Sequence, residues 1–121
     1  MAQQIEREYN AAMGSLVELV YTKCKDDQNI AKTRAHFMTV RSVTPSEIIK
    51  LSGPQLWEHR EDIVAENTSA FLDMSIDQAN ENYALFTSIK HLWEKSNNAE
   101  RTYVVSVIKK MLSLYAKYIL I

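Results

Sequence analysis

At 121 residues, 46% of them apolar and 24% charged, the chain is long enough for one domain with its own core and too apolar to stay disordered. Its formal net charge of −1 argues against a general polyanion binder, and two glycines and two prolines are too few for the tight turns of a sheet protein of this length. Few turns mean few, long elements. The expectation is an all-α fold, a single helical domain over residues 1–121: a compact bundle of four or five helices with a broadly apolar C-terminal helix.

The first element is expected from Ala2 to Lys25, where Ile5, Tyr9, Ala12, Met13, Leu16, Val17 and Val20 recur at helical spacing. Gly14 sits inside this pattern and costs up to ~1 kcal/mol against alanine, unless a neighbouring helix comes close there. Asp26 or Asp27 caps a second helix starting near Gln28. Its apolar face (Ile30, Phe37, Met38, Val40) is thin, so it reads as a partly exposed helix or a helix plus loop. In "TPSE", Thr44 is placed to cap, Pro45 to take the first helical position and Glu47 to close a capping box. The short helix that follows is expected to stop at Gly53-Pro54, with Pro54 opening the next one. That helix puts Leu56, Trp57, Arg60, Ile63, Val64 and Asn67 on one side and Glu58, Glu61, Asp62 and Glu66 mostly on the other.

A break is expected between Asn67 and Asp77, with continuation of the helix to Leu72 as the alternative. Ser75 or Asp77 then caps a helix carrying Ala79, Tyr83, Phe86, Ile89, Leu92 and Trp93. "SNN" at 96–98 is a turn, and Asn97 with Glu100 three residues on forms a capping box for the last helix.

On that last helix Thr102, Ser106, Lys109, Lys110, Ser113 and Lys117 collect on one arc, while apolar residues from Tyr103 to Ile119 spread over most of the rest. This face is wider than the stripe of an ordinary surface helix. Leaving it wet would forfeit several kcal/mol at ~25 cal/mol per Å², so the closing residues are expected to be docked, either inside this bundle or against another chain. A helix lying on a membrane surface, with Lys109, Lys110 and Lys117 toward headgroups, is a lesser alternative.

Charge is unevenly distributed: −2 over residues 1–21, +3 over 22–53, −6 over 54–89 and +4 over 90–121. Pairing between packed helices is the favoured reading, and two docking faces of opposite sign the other. Cys24 is alone, which excludes a disulfide framework and a cysteine metal site and fits a reducing compartment. The start "MAQQIEREYN" is not a secretory signal, and no apolar run approaches the ~18 residues of a membrane span. The expected location is intracellular and soluble, cytoplasmic or in a virion.

Candidates for chemistry are sparse. His36, His59 and His91 lack a Glu three residues before them, and no zinc, nucleotide or nucleophile-elbow motif is present. His59, Asp62 and Glu66 share a face, which reads as a solvated charged surface rather than a metal site. No catalytic residue, metal or cofactor is expected, and the chain is read as not an enzyme.

The stretch "LWEKSNNAERTYVVSVIKKMLSLYA" (Leu92 to Ala116) resembles a segment of small helical proteins of unknown function from large DNA viruses. It carries a Leu-Trp pair, a Ser/Asn-rich turn and then a helix with an aromatic start and spaced leucines. It departs from that pattern where a tryptophan would recur early in the last helix; Tyr103 and Val104 stand there. The resemblance implies no activity; it points to a virus-encoded accessory or virion-associated subunit.

The expected function is therefore a non-catalytic interaction or assembly subunit, an adaptor, structural or virion-associated protein with a protein partner or as a homo-oligomer. Its expected contact residues are Trp57, Trp93, Tyr103, Tyr115, Tyr118 and Ile121, since aromatic and large apolar anchors dominate interfaces. The alternative is a nucleic-acid-binding accessory protein using Lys23, Lys25, Lys32, Arg34 and Arg41 on phosphates.

Overall fold

The computed structural model describes residues 1–25, 27–67 and 83–121. Every regular element among them is a helix: α1 (Ala2–Lys23), α2 (Gln28–Val43), α3 (Glu47–Glu58), α4 (Arg60–Val64), α5 (Tyr83–Lys95) and α6 (Asn98–Tyr118). Only His59 separates α3 from α4. The expectations concerning Asp26, the break over residues 68–77, the Ser75 or Asp77 cap and Ala79, and the side chains of Tyr83 and Phe86, lie outside what is described.

Among the described helices α1 is the hub and α6 its principal partner: α1 packs on α2, α3, α5 and α6, and α6 on α1, α3 and α4 with a lighter contact to α5. The reason lies in the breadth of the buried face: α1 buries Tyr9, Asn10, Ala12, Met13, Gly14, Leu16 and Val17 in addition to Ile5 and Val20. α6 runs antiparallel to α1, as two contacts at opposite ends show. Lys23 Nζ lies 2.7 Å from Glu100 Oε2, and the Tyr118 hydroxyl donates to Glu6 Oε2 at 2.7 Å. Between these ends Tyr9, Leu16, Ile49, Leu92 and Val104 are fully sealed from solvent.

Local sequence explains most helix ends. Asp27 accepts the Asn29 N–H at 2.9 Å and starts α2. Asn97 and Glu100 form the full capping box of α6, with Glu100 N–H on Asn97 Oδ1 at 2.9 Å and Asn97 N–H on Glu100 Oε1 at 3.1 Å. α2 is the thin-faced helix its sequence describes, burying only Ile30 and Phe37.

Two expected helix boundaries are corrected. The Thr44–Glu47 box is absent: Pro45 and Ser46 form a turn, the Thr44 carbonyl accepts the Glu47 N–H at 3.0 Å, and Ser46 stands at the N-cap of α3. Asn10 of α1 ties down this turn, its Nδ2 donating to the Pro45 carbonyl at 2.9 Å. Nor does Gly53-Pro54 end a helix; α3 runs through it. Proline removes one helical donor and crowds the carbonyl four residues back. Here that residue is Lys50, which is exposed, as is Pro54, so the orphaned carbonyl lies on the wet side. The opposite side buries Ile49, Ser52, Gly53 and Leu56, and that packing outweighs the local cost.

Candidate interaction surface

Gly53 sets the geometry of the surface. A Cβ built there would lie 2.1 Å from Tyr115 Cδ1, so the Tyr115 ring lies directly on the α3 backbone and draws α6 against it. Trp57, one turn on, tilts over the same ring at 59° with 6.4 Å between centroids. The Arg60 guanidinium covers Trp57 at 4.7 Å and donates from Nη1 to the Trp57 carbonyl at 2.8 Å. The chain then turns through α4, which closes with Asn67 N–H on the Asp62 carbonyl at 2.8 Å and Glu66 in the left-handed region at φ 59°. Lys109 Nζ reaches back to Glu66 Oε1 at 2.6 Å. The hydrogen bond from Lys109, reinforced by its charge, holds the Glu66 carboxyl below the ordinary range.

Between α4 and α6 these contacts leave an apolar groove of about 710 Å³, whose walls include Trp57, Val64, Leu112 and Ala116. Val64 is 67% exposed. The α6 wall does not end with the groove. Leu112, Ala116, Ile119 and Leu120 fall at i, i+4, i+7 and i+8, one stripe of a helix. The backbone goes on turning past the end of α6, with Ile119 N–H on the Tyr115 carbonyl at 3.0 Å and Leu120 N–H in a tighter turn on that of Lys117 at 3.2 Å.

The closing residues divide. They are docked within the chain as far as Tyr118, whose hydroxyl pKa is pushed up to about 12, chiefly by its hydrogen bond to Glu6 and then by burial. Beyond it Ile119, Leu120 and Ile121 are 47%, 86% and 63% exposed. The physical reason is their position: Ile119 and Leu120 lie on the groove side of α6, not on the side facing α1.

The six expected contact residues divide. Trp57 and Tyr115 meet at the groove, and Tyr118 and Ile121 lie at the same end of α6. Trp93 is remote, half-buried beneath the Arg101 guanidinium at 5.0 Å. Tyr103 is exposed on another side, lining a second depression of about 560 Å³ with Gly14, Phe37, Met38 and Arg41. Sequence reasoning missed Val64 and Leu120 because it ranked aromatics first; the Leu112–Ala116–Ile119–Leu120 spacing was the available signal.

The basic residues of 23–41 are not gathered into one patch. Lys23 is held by Glu100, and Arg34 pairs with Glu18 at 2.6 Å while stacking on Tyr21 at 4.7 Å. Lys25 joins Lys23, His91 and Lys95 around a shallow depression that also contains Asp27. Arg41 lies ~20 Å further along α2, at ~1.5 Å per residue, and Lys32 is exposed on a different side of that helix from Arg34. Cys24 is buried. Among the described residues no three His, Cys, Asp or Glu side chains come together as a metal site, and no helix is long and apolar enough to cross a membrane.

Compared with protein-family models, with curated proteins and with solved structures, the chain matches none.

Proposed function

We propose that the chain is a non-catalytic interaction or assembly subunit that works through helix faces, with the groove and stripe of α6 as its contact surface. The observation that carries this reading is an apolar surface that runs from exposed Trp57 and Val64 across half-buried Ala116 to exposed Ile119 and Leu120. Contiguous apolar patches of this kind mark interaction sites, whereas single exposed hydrophobes are ordinary. Trp57 supplies the aromatic anchor, stiffened by Tyr115 and Arg60, and interface hot spots are enriched in such residues. The resemblance of residues 92–116 to small helical viral proteins supports the same class and extends it to an accessory or virion-associated role.

The test compares wild type with Val64→Asp and Leu120→Asp, two exposed substitutions. Each protein is sized by light scattering on dilution and used as bait in native-cell lysate, with captured chains identified by mass spectrometry. The expected result is a complex, of either kind, that both variants lose while keeping wild-type circular dichroism. Identical masses and identical captured chains for all three would remove the reading.

A further inference from the structure

We infer that the occupant of the stripe is a second copy of this chain, in a two-fold dimer whose axis passes α6 beside Ala116. The inference rests on the interaction-subunit reading and names its partner.

Three observations carry it. The stripe is self-complementary about its middle. Small residues, Ser113 and Ala116, stand between large ones, Leu112 on one side and Ile119 with Leu120 on the other. Two antiparallel copies crossing at Ala116 set the exposed Leu120 of one into the groove of the other, level with its buried wall residue Leu112, four residues either side of the axis. That is the pattern an isologous contact needs, since one patch must fit itself. Small residues at the crossing also let the two helices approach closely.

The second observation is area. Trp57, Val64, Ile119, Leu120 and Ile121 are 36%, 67%, 47%, 86% and 63% exposed. With the smaller groove residues between them they offer on the order of 700 Å² per copy, near the ~800 Å² per partner of a standard specific interface.

The third is charge. On the α4 side the stripe is bordered by Arg60 and Glu61, of opposite sign, and by Lys109 already neutralised by Glu66. Two copies therefore meet there without a like-charge edge. Lys117, exposed and one residue from the axis, flanks the other side and comes near its own symmetry mate. The dimer accordingly strengthens with salt, the opposite of a contact held by ion pairs.

Sedimentation velocity over a dilution series, at low and high salt, reads the assembly directly. Ala116→Cys places a thiol at the axis, where facing Cα atoms fall within the ~4.4–6.8 Å span of a disulfide. Lys110→Cys, one and a half turns away on the flank, is the control, and wild type with its buried Cys24 is the blank. The expected result is a twofold mass that dissociates on dilution, disulfide dimers of Ala116→Cys formed at least tenfold faster than those of Lys110→Cys, and a monomer for Leu120→Asp or Val64→Asp with unchanged circular dichroism. A monomer at all concentrations, or equal crosslinking at both cysteines, would overturn the second copy as occupant. In that event, capture of another protein that still depends on Leu120 leaves the interaction reading standing. Indifference of both mass and capture to Leu120→Asp removes both.

Discussion

At its N-terminal end α6 is closed by polar contacts, while at its C-terminal end it carries large apolar side chains into solvent. The closed end has the Asn97–Glu100 box, the Lys23–Glu100 pair and Arg101 laid over Trp93 with its Nε on the Trp93 carbonyl at 3.1 Å. The open end has Ile119 at the C-cap in ordinary helical conformation, with Leu120 and Ile121 beyond it. One helix thus has an end finished by its own chain and an end that, past the Tyr118–Glu6 bond, carries apolar side chains into solvent.

Emptying the core between the two ends has the largest expected effect. Leu16, fully buried between α1 and its neighbours, is the reference. Leu16→Ala should lower the unfolding free energy by ~3–4 kcal/mol, read by urea denaturation. A loss below ~1 kcal/mol would mean that the sealed face of α1 does not govern stability.

Gly53 gives the next largest effect and the sharpest sign. In an open helix Gly→Ala stabilises by ~1 kcal/mol. Here the new methyl meets Tyr115, so Gly53→Ala should destabilise by ~1–3 kcal/mol. In a Tyr115→Ala background the sign should reverse, since the obstacle is gone. A double-mutant cycle with no coupling would show that the ring does not rest on α3.

Gly53 also marks the limit of what the sequence reveals. Helical spacing made the all-α class and the buried face of α1 readable, and short-range chemistry made the Asp27 and Asn97 caps readable, because each depends on residues within one turn. Gly53-Pro54 carries the local signature of a helix break, and the packing of the buried side of α3, with Tyr115 sixty-odd residues away laid on Gly53, overrides it. The Thr44–Glu47 box also failed to form: Pro45 and Ser46 make a turn, which Asn10 of α1 holds through the Pro45 carbonyl. Lys23 and Arg34 looked like free cations because their partners, Glu100 and Glu18, lie on other helices. Trp57 and Tyr115 were legible as anchors by residue type, but their meeting, and the stripe that runs on to Leu120, required the fold.

At the closed end Asn97→Ala removes one partner of the capping box and should cost ~1 kcal/mol. The equivalent change at the open end, Ile119→Ala, should cost less in the isolated chain, because half of that side chain is already wet. Thermal unfolding of both variants at high dilution ranks the two ends. Equal losses would erase the distinction.

The polar tie nearest the open end is pH-sensitive in a known direction. Tyr118 has its hydroxyl pKa raised to about 12 from 10.0 by Glu6 and burial. A raised folded-state value means the folded chain holds that proton more tightly, so the contribution is full below pH 10 and fades as pH climbs toward 12. Burial shifts Tyr9 in the same direction and adds to the alkaline loss. Tyr118→Phe should flatten the stability profile between pH 10 and 12 without abolishing its decline. An unchanged slope would mean that the Glu6 contact is not formed in solution.

The smallest effect on stability is expected at the most exposed position of the stripe. Leu120 is 86% exposed, so Leu120→Asp removes little buried area and should shift the monomer's unfolding free energy by no more than ~0.5 kcal/mol. On a core helix face the same change would be severe, because an unpaired carboxylate would be desolvated. The measurement must be made at concentrations where the chain is monomeric, since binding only the folded state adds apparent stability by mass action. Run at rising concentration, wild type should then gain stability that Leu120→Asp does not. Two denaturation curves that separate only as the protein is concentrated assign Leu120 to contact between molecules. Curves that differ equally at every concentration would place it in the monomer's own packing and close the open end of α6.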